Sequence, residues 1–145
     1  MTRSAARPLY LIKRAETASR TGLEAFLQNL GVTPGQYTAL SLLAAQRNQS
    51  SAEMARKAGV TPQSMSETIS GLERKGLIVR AENPEHRRIL NITLTEKGQA
   101  LLAQCDARAD ALEERLLQGL SPDQVEILRQ ALQTIIQNHG QGAAA

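Results

Sequence analysis

The side chains best placed to do chemistry lie in one stretch, Thr61-Pro-Gln-Ser-Met-Ser-Glu-Thr-Ile-Ser-Gly-Leu-Glu-Arg-Lys-Gly76. Gln63, Ser64, Ser66, Glu67, Ser70 and Arg74 form a row of small hydrogen-bonding groups with little charge. The row lies opposite an apolar stripe of Met65, Ile69 and Leu72 at i, i+4 and i+7. A merely solvated face would carry more Lys and Glu. Such a row suits hydrogen-bond recognition of a polar surface rather than bond making or breaking. A second candidate is Arg87-Arg88, two adjacent guanidinium groups suited to gripping an anion. Catalytic and metal chemistry find no footing. With two histidines and one cysteine there is no cluster at metal spacing, no nucleophile beside a base and no glycine-rich phosphate loop. Neither enzymatic activity nor a cofactor is expected.

The elements holding these groups follow from local signals. Thr61 caps a helix, Pro62 suits its first position, and Gly76 supplies a left-handed stop. Upstream, Ser50 and Glu53 are placed for a capping box before a short helix containing Met54, Ala55 and Ala58. Only Gly59-Val60 separates that helix from Thr61. Two short helices joined by a tight glycine turn have the sequence form of a helix-turn-helix, whose second helix enters the DNA major groove. Any small helical corner reads the same way up to this point. Downstream, Leu77–Ala81 and Ile89–Leu94 read as strands flanking a polar turn that carries Arg87 and Arg88. Strand, charged loop and strand directly after a helix-turn-helix make a wing. Beside a recognition helix the two arginines read as phosphate or minor-groove contacts, with a solvated hairpin tip as the competing reading.

The flanks are helical. Leu9, Ile12, Leu23, Phe26, Leu27 and Leu30 follow helical spacing from Pro8 to a stop at Gly31. Thr33 and Gln36 then make a capping box for a helix striped by Tyr37, Leu40, Leu43 and Ala44. After the second strand, Thr95 opens a long helix with Leu101, Cys105, Ala109, Leu112 and Leu116 on one face. Ser121 and Gln124 cap a last helix carrying Val125, Leu128, Leu132 and Ile135. The stripes at the two ends of the chain have no local partner large enough to cover them. A second copy related by a two-fold axis would do so, as palindromic DNA also requires, and a monomeric bundle is the alternative.

Composition agrees. Among 145 residues, 41% are hydrophobic but only 2% aromatic, so the core must be built from aliphatic side chains in helices. Base stacking on aromatic platforms is excluded as a binding mode. The net charge of +3 is uneven. Residues 1–46 carry five basic and two acidic groups, 47–97 nine and six, and 98–145 three and six. An anionic partner for the first two thirds is expected. No stretch is long and apolar enough for a membrane span, Met1–Pro8 lacks a signal-peptide core, and the single Cys105 fits a reducing compartment. A soluble cytoplasmic protein is expected, with Cys105, Met54 and Met65 as core residues.

The ordered string Leu72-Glu-Arg-Lys-Gly-Leu-Ile-Val-Arg80, Arg87-Arg88 and Leu94-Thr-Glu-Lys-Gly98 resembles the multiple-antibiotic-resistance regulator (MarR) family of winged-helix transcription factors. The family pattern is a recognition helix ending in LE-x-x-G, a wing strand ending in Arg, a loop closing in DRR, and LT-x-x-G opening the dimerisation helix. Gly31-Val-Thr-Pro-Gly-Gln-Tyr37 also looks like the segment between the family's first two helices, and the likeness covers about Pro8 to Ile136. The resemblance implies a mainly α fold with a small β wing, and an obligate triangular dimer. It also implies a repressor, sometimes an activator, on a short inverted repeat of double-stranded DNA, in many members released by a small aromatic or phenolic anion. Two positions depart from the pattern. His86 stands where the family often has Asp, and Glu67 where many members have Arg.

These readings predict one domain over 8–137, with a winged helix-turn-helix part at 33–95 and dimerisation helices at 8–31 and 96–137. Residues 1–7 and 138–145 are expected to be flexible tails. Gln63, Ser64 and Ser66 are expected to read bases, while Ser70 and Arg74 meet phosphate. Arg87 and Arg88 serve the wing, and Arg56 and Lys57 are further backbone candidates. Lys75 is expected to be solvated, and His139, in the tail, is assigned nothing. Arg14 and Tyr37 are candidates to grip the carboxylate and ring of an effector, against a reading of Arg14 as solvated and Tyr37 as core. A winged-helix module that binds protein, or a regulator with no effector, are the competing functions.

Overall fold

Helix boundaries follow capping chemistry in the computed structural model, which describes residues 5–82, 85 and 90–143. Helix α1 (Pro8–Leu30) starts on a proline and ends at Gly31, whose φ of 72° is the left-handed stop. Helix α2 (Pro34–Ala45) opens with the full Thr33–Gln36 capping box. Before α3 (Ser51–Ala58), Ser50 Oγ accepts the Glu53 N–H. The expected capping box there is only half formed, because the Glu53 carboxylate accepts from the Ser50 hydroxyl instead of from the Ser50 N–H. Thr61 caps α4 (Pro62–Arg74) by accepting the Ser64 N–H, and Gly76 beyond its end has φ 74°.

Strands β1 (Ile78–Glu82) and β2 (Leu90–Leu94) pair antiparallel, with Ile78 opposite Leu94 and Glu82 opposite Leu90. The turn carrying His86, Arg87 and Arg88 lies outside the described residues. Helix α5 (Glu96–Leu116) follows, and a complete Ser121–Gln124 box opens α6 (Pro122–Ala143). Helix α6 continues through Gly140 and Gly142, which corrects the tail expected from 138 onward. Each residue added to an existing helix gains one backbone hydrogen bond, which offsets the weak helix propensity of glycine. Residues 1–4 and 144–145, the rest of the two expected tails, lie outside the described residues.

The chain forms two compact units, Met1–Asp110 and Ala111–Ala145. In the first, Ala39, Leu40 and Leu43 of α2 pack with Met54 and Ala55 of α3, Met65, Ile69 and Leu72 of α4, Leu77, Ile78 and Ile92 of the wing, and Leu102 of α5. Ala44 is exposed, and Ala39 takes the place expected for it in the α2 stripe. A smaller cluster joins Leu27 and Val32 to Cys105, edged by Leu23, Phe26, Leu30 and Tyr37. Cys105 and both expected methionines are therefore core residues. In the second unit the α6 stripe is open, with Leu128, Leu132 and Ile135 exposed together with Ile127 and Ile136.

The start of α5 is pressed against the turn that joins α4 to β1. A Cβ placed on Gly98 would lie 2.1 Å from the Leu77 carbonyl oxygen. The Thr95 N–H donates to that same oxygen at 3.0 Å, and the Thr95 hydroxyl donates to Gly76 O at 2.7 Å. Only a residue without a side chain fits at position 98.

Candidate nucleic-acid interface

Helix α4 buries Met65, Ile69, Gly71 and Leu72 and turns Gln63, Ser64, Ser66 and Glu67 to solvent. The side chains of Gln63 and Ser66 have no hydrogen-bond partner among the described residues. Together with the exposed first turn they offer donors and acceptors to a surface lying against the helix N-terminus. Arg74 is exposed without an ion-pair partner among the described residues. Ser70, expected to meet phosphate, already has a partner within the chain. It is half-buried, and its hydroxyl accepts from Arg80 Nη2 at 3.1 Å.

Arg80 ties the wing to this helix. Its Nε lies 3.0 Å from Glu73 Oε2, an ion-pair contact rather than an aligned hydrogen bond. The LE-x-x-G string thereby acquires physical roles. Leu72 anchors the core, Glu73 grips the first wing strand through Arg80, and Gly76 turns the chain into that strand. The expected phosphate groups Arg87 and Arg88, and the departure at His86, fall outside the described residues.

Two lysines are committed elsewhere. Lys57, a candidate contact to the DNA backbone, donates from Nζ to Gln46 Oε1 at 2.7 Å and to Gln49 Oε1 at 2.9 Å, so two of its three donors already have partners within the chain. Its neighbour Arg56 is exposed and has no partner among the described residues. Lys75, expected to be solvated, donates to Gly31 O at 2.7 Å and Gln36 Oε1 at 2.9 Å.

Gln49 was legible only as part of a polar turn, yet it is fully buried. Its amide nitrogen donates to Leu42 O and Gln46 O, its oxygen accepts from Lys57, and its backbone forms a β-bridge to Ile92. It thus staples the α2–α3 turn to the wing. A buried amide is stable only with such partners, and no sequence pattern announces them.

A second feature lies between α1 and α2, a cavity of about 410 Å³ lined by Leu23, Leu27, Pro34, Tyr37, Thr38, Ser41 and Leu42. The Tyr37 hydroxyl donates to Asp106 Oδ1 at 2.7 Å, and its ring meets Phe26 edge-to-face with centroids 6.4 Å apart. Burial, and then the Asp106 carboxylate, hold the Tyr37 phenol well above its ordinary range. Arg14 is not brought to this cavity. Its guanidinium lies over the Tyr10 ring at 5.9 Å, and its place on α1 is about 13 Å along the axis from Leu23. Among the described residues no group of His, Cys, Asp and Glu is arranged to hold a metal ion, and no helix is long and apolar enough to cross a membrane.

Two helices meeting at a tight turn, the second exposing a polar face and strapped to a two-stranded ribbon, define a winged helix-turn-helix protein. The MarR family model matches residues 30–89. The HTH-type transcriptional repressor Rv2887 of Mycobacterium tuberculosis is 36% identical over 121 residues, covering 83% of this chain and 87% of the relative. The chain belongs to the MarR family, one of transcriptional regulators. The crystal structure of Rv2887 with p-aminosalicylic acid is similar with a TM-score of 0.72 at 32% identity, covering 90% of this chain and 98% of that one. The repressor CouR of Rhodococcus jostii RHA1, bound to a 23-mer DNA duplex, is similar with a TM-score of 0.83 at 30% identity, covering 90% of this chain and 92% of that one.

Proposed function

We propose that the protein is a cytoplasmic, homodimeric transcriptional repressor that binds an inverted-repeat operator and leaves it when a small aromatic or phenolic anion binds. The observation carrying this reading is the open hydrogen-bonding row of Gln63, Ser64 and Ser66 at the start of α4, on a helix whose other side is core. In this reading residues 33–95 form the DNA-binding part. Gln63, Ser64 and Ser66 meet base edges, and Arg74, Arg87, Arg88 and Arg56 meet phosphate. Ser70, held by Arg80, orients the wing and adds at most one phosphate contact through its own proton. The segments 8–31 and 96–137 supply the dimer interface. The DNA-bound CouR structure supports the DNA assignment. For the effector, the Rv2887 complex with p-aminosalicylic acid and the cavity beside Tyr37 are the support. No enzymatic step is assigned.

The test is a titration of the protein with its own upstream DNA at several salt concentrations. Specific binding should weaken by roughly three or more powers of ten between about 50 and 200 mM salt, as phosphate contacts release counterions. Equal affinity for scrambled DNA, or no salt dependence, would leave the protein-binding module as the better reading. Thermal-shift screening against aromatic acids decides between a ligand-released regulator and one without an effector.

A further inference from the structure

Lys75 sits at the C-cap of α4, yet its side chain serves another helix. The last turn of α1 contains no basic residue, although the carbonyl-rich end of a helix favours a cation. Lys75 supplies one from 44 residues away, donating to Gly31 O at 2.7 Å. The same ammonium donates to Gln36 Oε1, which also accepts the Thr33 N–H at 3.2 Å in the α2 capping box. Gln36 is itself buried, and its amide nitrogen lies 3.1 Å from where a Cβ on Gly71 would be. The end of α4 is capped in turn from α5, where Lys97 Nζ donates to Lys75 O at 3.0 Å. Lys97 thus caps α4, and Lys75 caps α1.

We propose that Lys75 is a positioning residue that fixes α4 against the α1–α2 junction, and that it does not contact DNA. The proposal rests on α4 being the helix that enters the groove. A lysine at the end of a recognition helix would ordinarily be read as a phosphate contact. Here the ammonium is exposed, but two of its three donors are already committed to Gly31 O and Gln36 Oε1 of the same chain, on the side of α4 that faces the α1–α2 junction. Loss of the ammonium leaves the folded core intact but frees α4 to take up a range of angles. That weakens contacts needing exact register and spares contacts needing only charge.

The experiment compares wild type with Lys75→Met. Affinity for operator DNA should fall roughly five- to tenfold, while affinity for scrambled DNA and the slope of log K against log salt stay unchanged. A loss on both DNAs, with the slope reduced by about one, would make Lys75 a phosphate contact and overturn the proposal. A second measurement needs no DNA. The Val32 N–H to Leu27 O and Leu77 N–H to Leu72 O bonds, both 3.0 Å, close the ends of α1 and α4. Hydrogen exchange at both amides should quicken together in Lys75→Met. Unchanged exchange at Val32 would overturn the strut. If wild type does not discriminate operator from scrambled DNA, the DNA reading fails, while the exchange result still decides whether Lys75 joins the two helices.

Discussion

At the scale of single residues, the groups that matter divide by what already occupies them. Gln63 and Ser66 are open to a partner, whereas Ser70, Lys57 and Lys75 have theirs inside the protein. Gln63→Ala should therefore change sequence preference, costing about 1–3 kcal/mol at one base pair. Arg88→Ala should instead weaken all sequences alike and lower the salt slope by about one, and binding to a small operator library checks both outcomes. The reverse pattern would mean that the wing, and not α4, reads the bases. Tyr37 carries a pH prediction. Its phenol is raised from 10.0, first by burial and then by Asp106, with Cys105 and Asp110 acting in the same direction. The folded state holds that proton more tightly than the unfolded chain, so the contribution is complete below the unfolded value and is lost as pH climbs towards the folded one. Urea midpoints should drop more steeply above about pH 10 in wild type than in Tyr37→Phe. Parallel curves would show that the phenol does not titrate differently on folding.

Between elements, the decisive contact is the start of α5 on the turn that joins α4 to β1. Replacing a helical glycine by alanine ordinarily stabilises by about 1 kcal/mol. At Gly98 the new methyl would meet a backbone oxygen at 2.1 Å that cannot rotate away, and overpacking of this kind costs about 1–3 kcal/mol or more. Overpacking wins, so Gly98→Ala should lower stability by about 1–2 kcal/mol in equilibrium unfolding; a gain would show that α5 sits further from Leu77. Much of this level was legible in the chain. Thr33 with Gln36, Thr61, and Ser121 with Gln124 are caps whose partners lie three residues away, so the helices could be placed before the fold was known. The Lys75 contacts span 39 and 44 residues and the buried Gln49 depends on α3 and β2, so neither leaves a local mark. For the same reason the arginine and tyrosine expected together at a ligand site separate. Tyr37 lines the cavity, but Arg14 stands over Tyr10.

For the whole molecule, the open question is what covers the apolar stripes. Leu9 is 70% exposed on α1, and Ile136 and Ile127 are 69% and 65% exposed on α6. Burying each such side chain is worth about 1.5–3 kcal/mol, which a second copy would recover. Light scattering at micromolar concentration should give a dimer for wild type, and Leu132→Glu in the middle of the α6 stripe should shift it towards monomer. A wild-type monomer would remove the two-fold reading, and with it the geometric need for a palindromic operator. One further consequence comes from the cavity wall. The chain has no tryptophan and only two tyrosines, and Tyr37, on the cavity wall, donates a hydrogen bond from its phenol to the Asp106 carboxylate. A phenol bonded in that way emits weakly, so a ligand that disturbs the Tyr37–Asp106 pair should brighten the protein's own ultraviolet fluorescence. If the proposed effector enters this cavity, Tyr37 would report its occupancy optically, with Tyr10→Phe leaving Tyr37 as the sole emitter among the tyrosines.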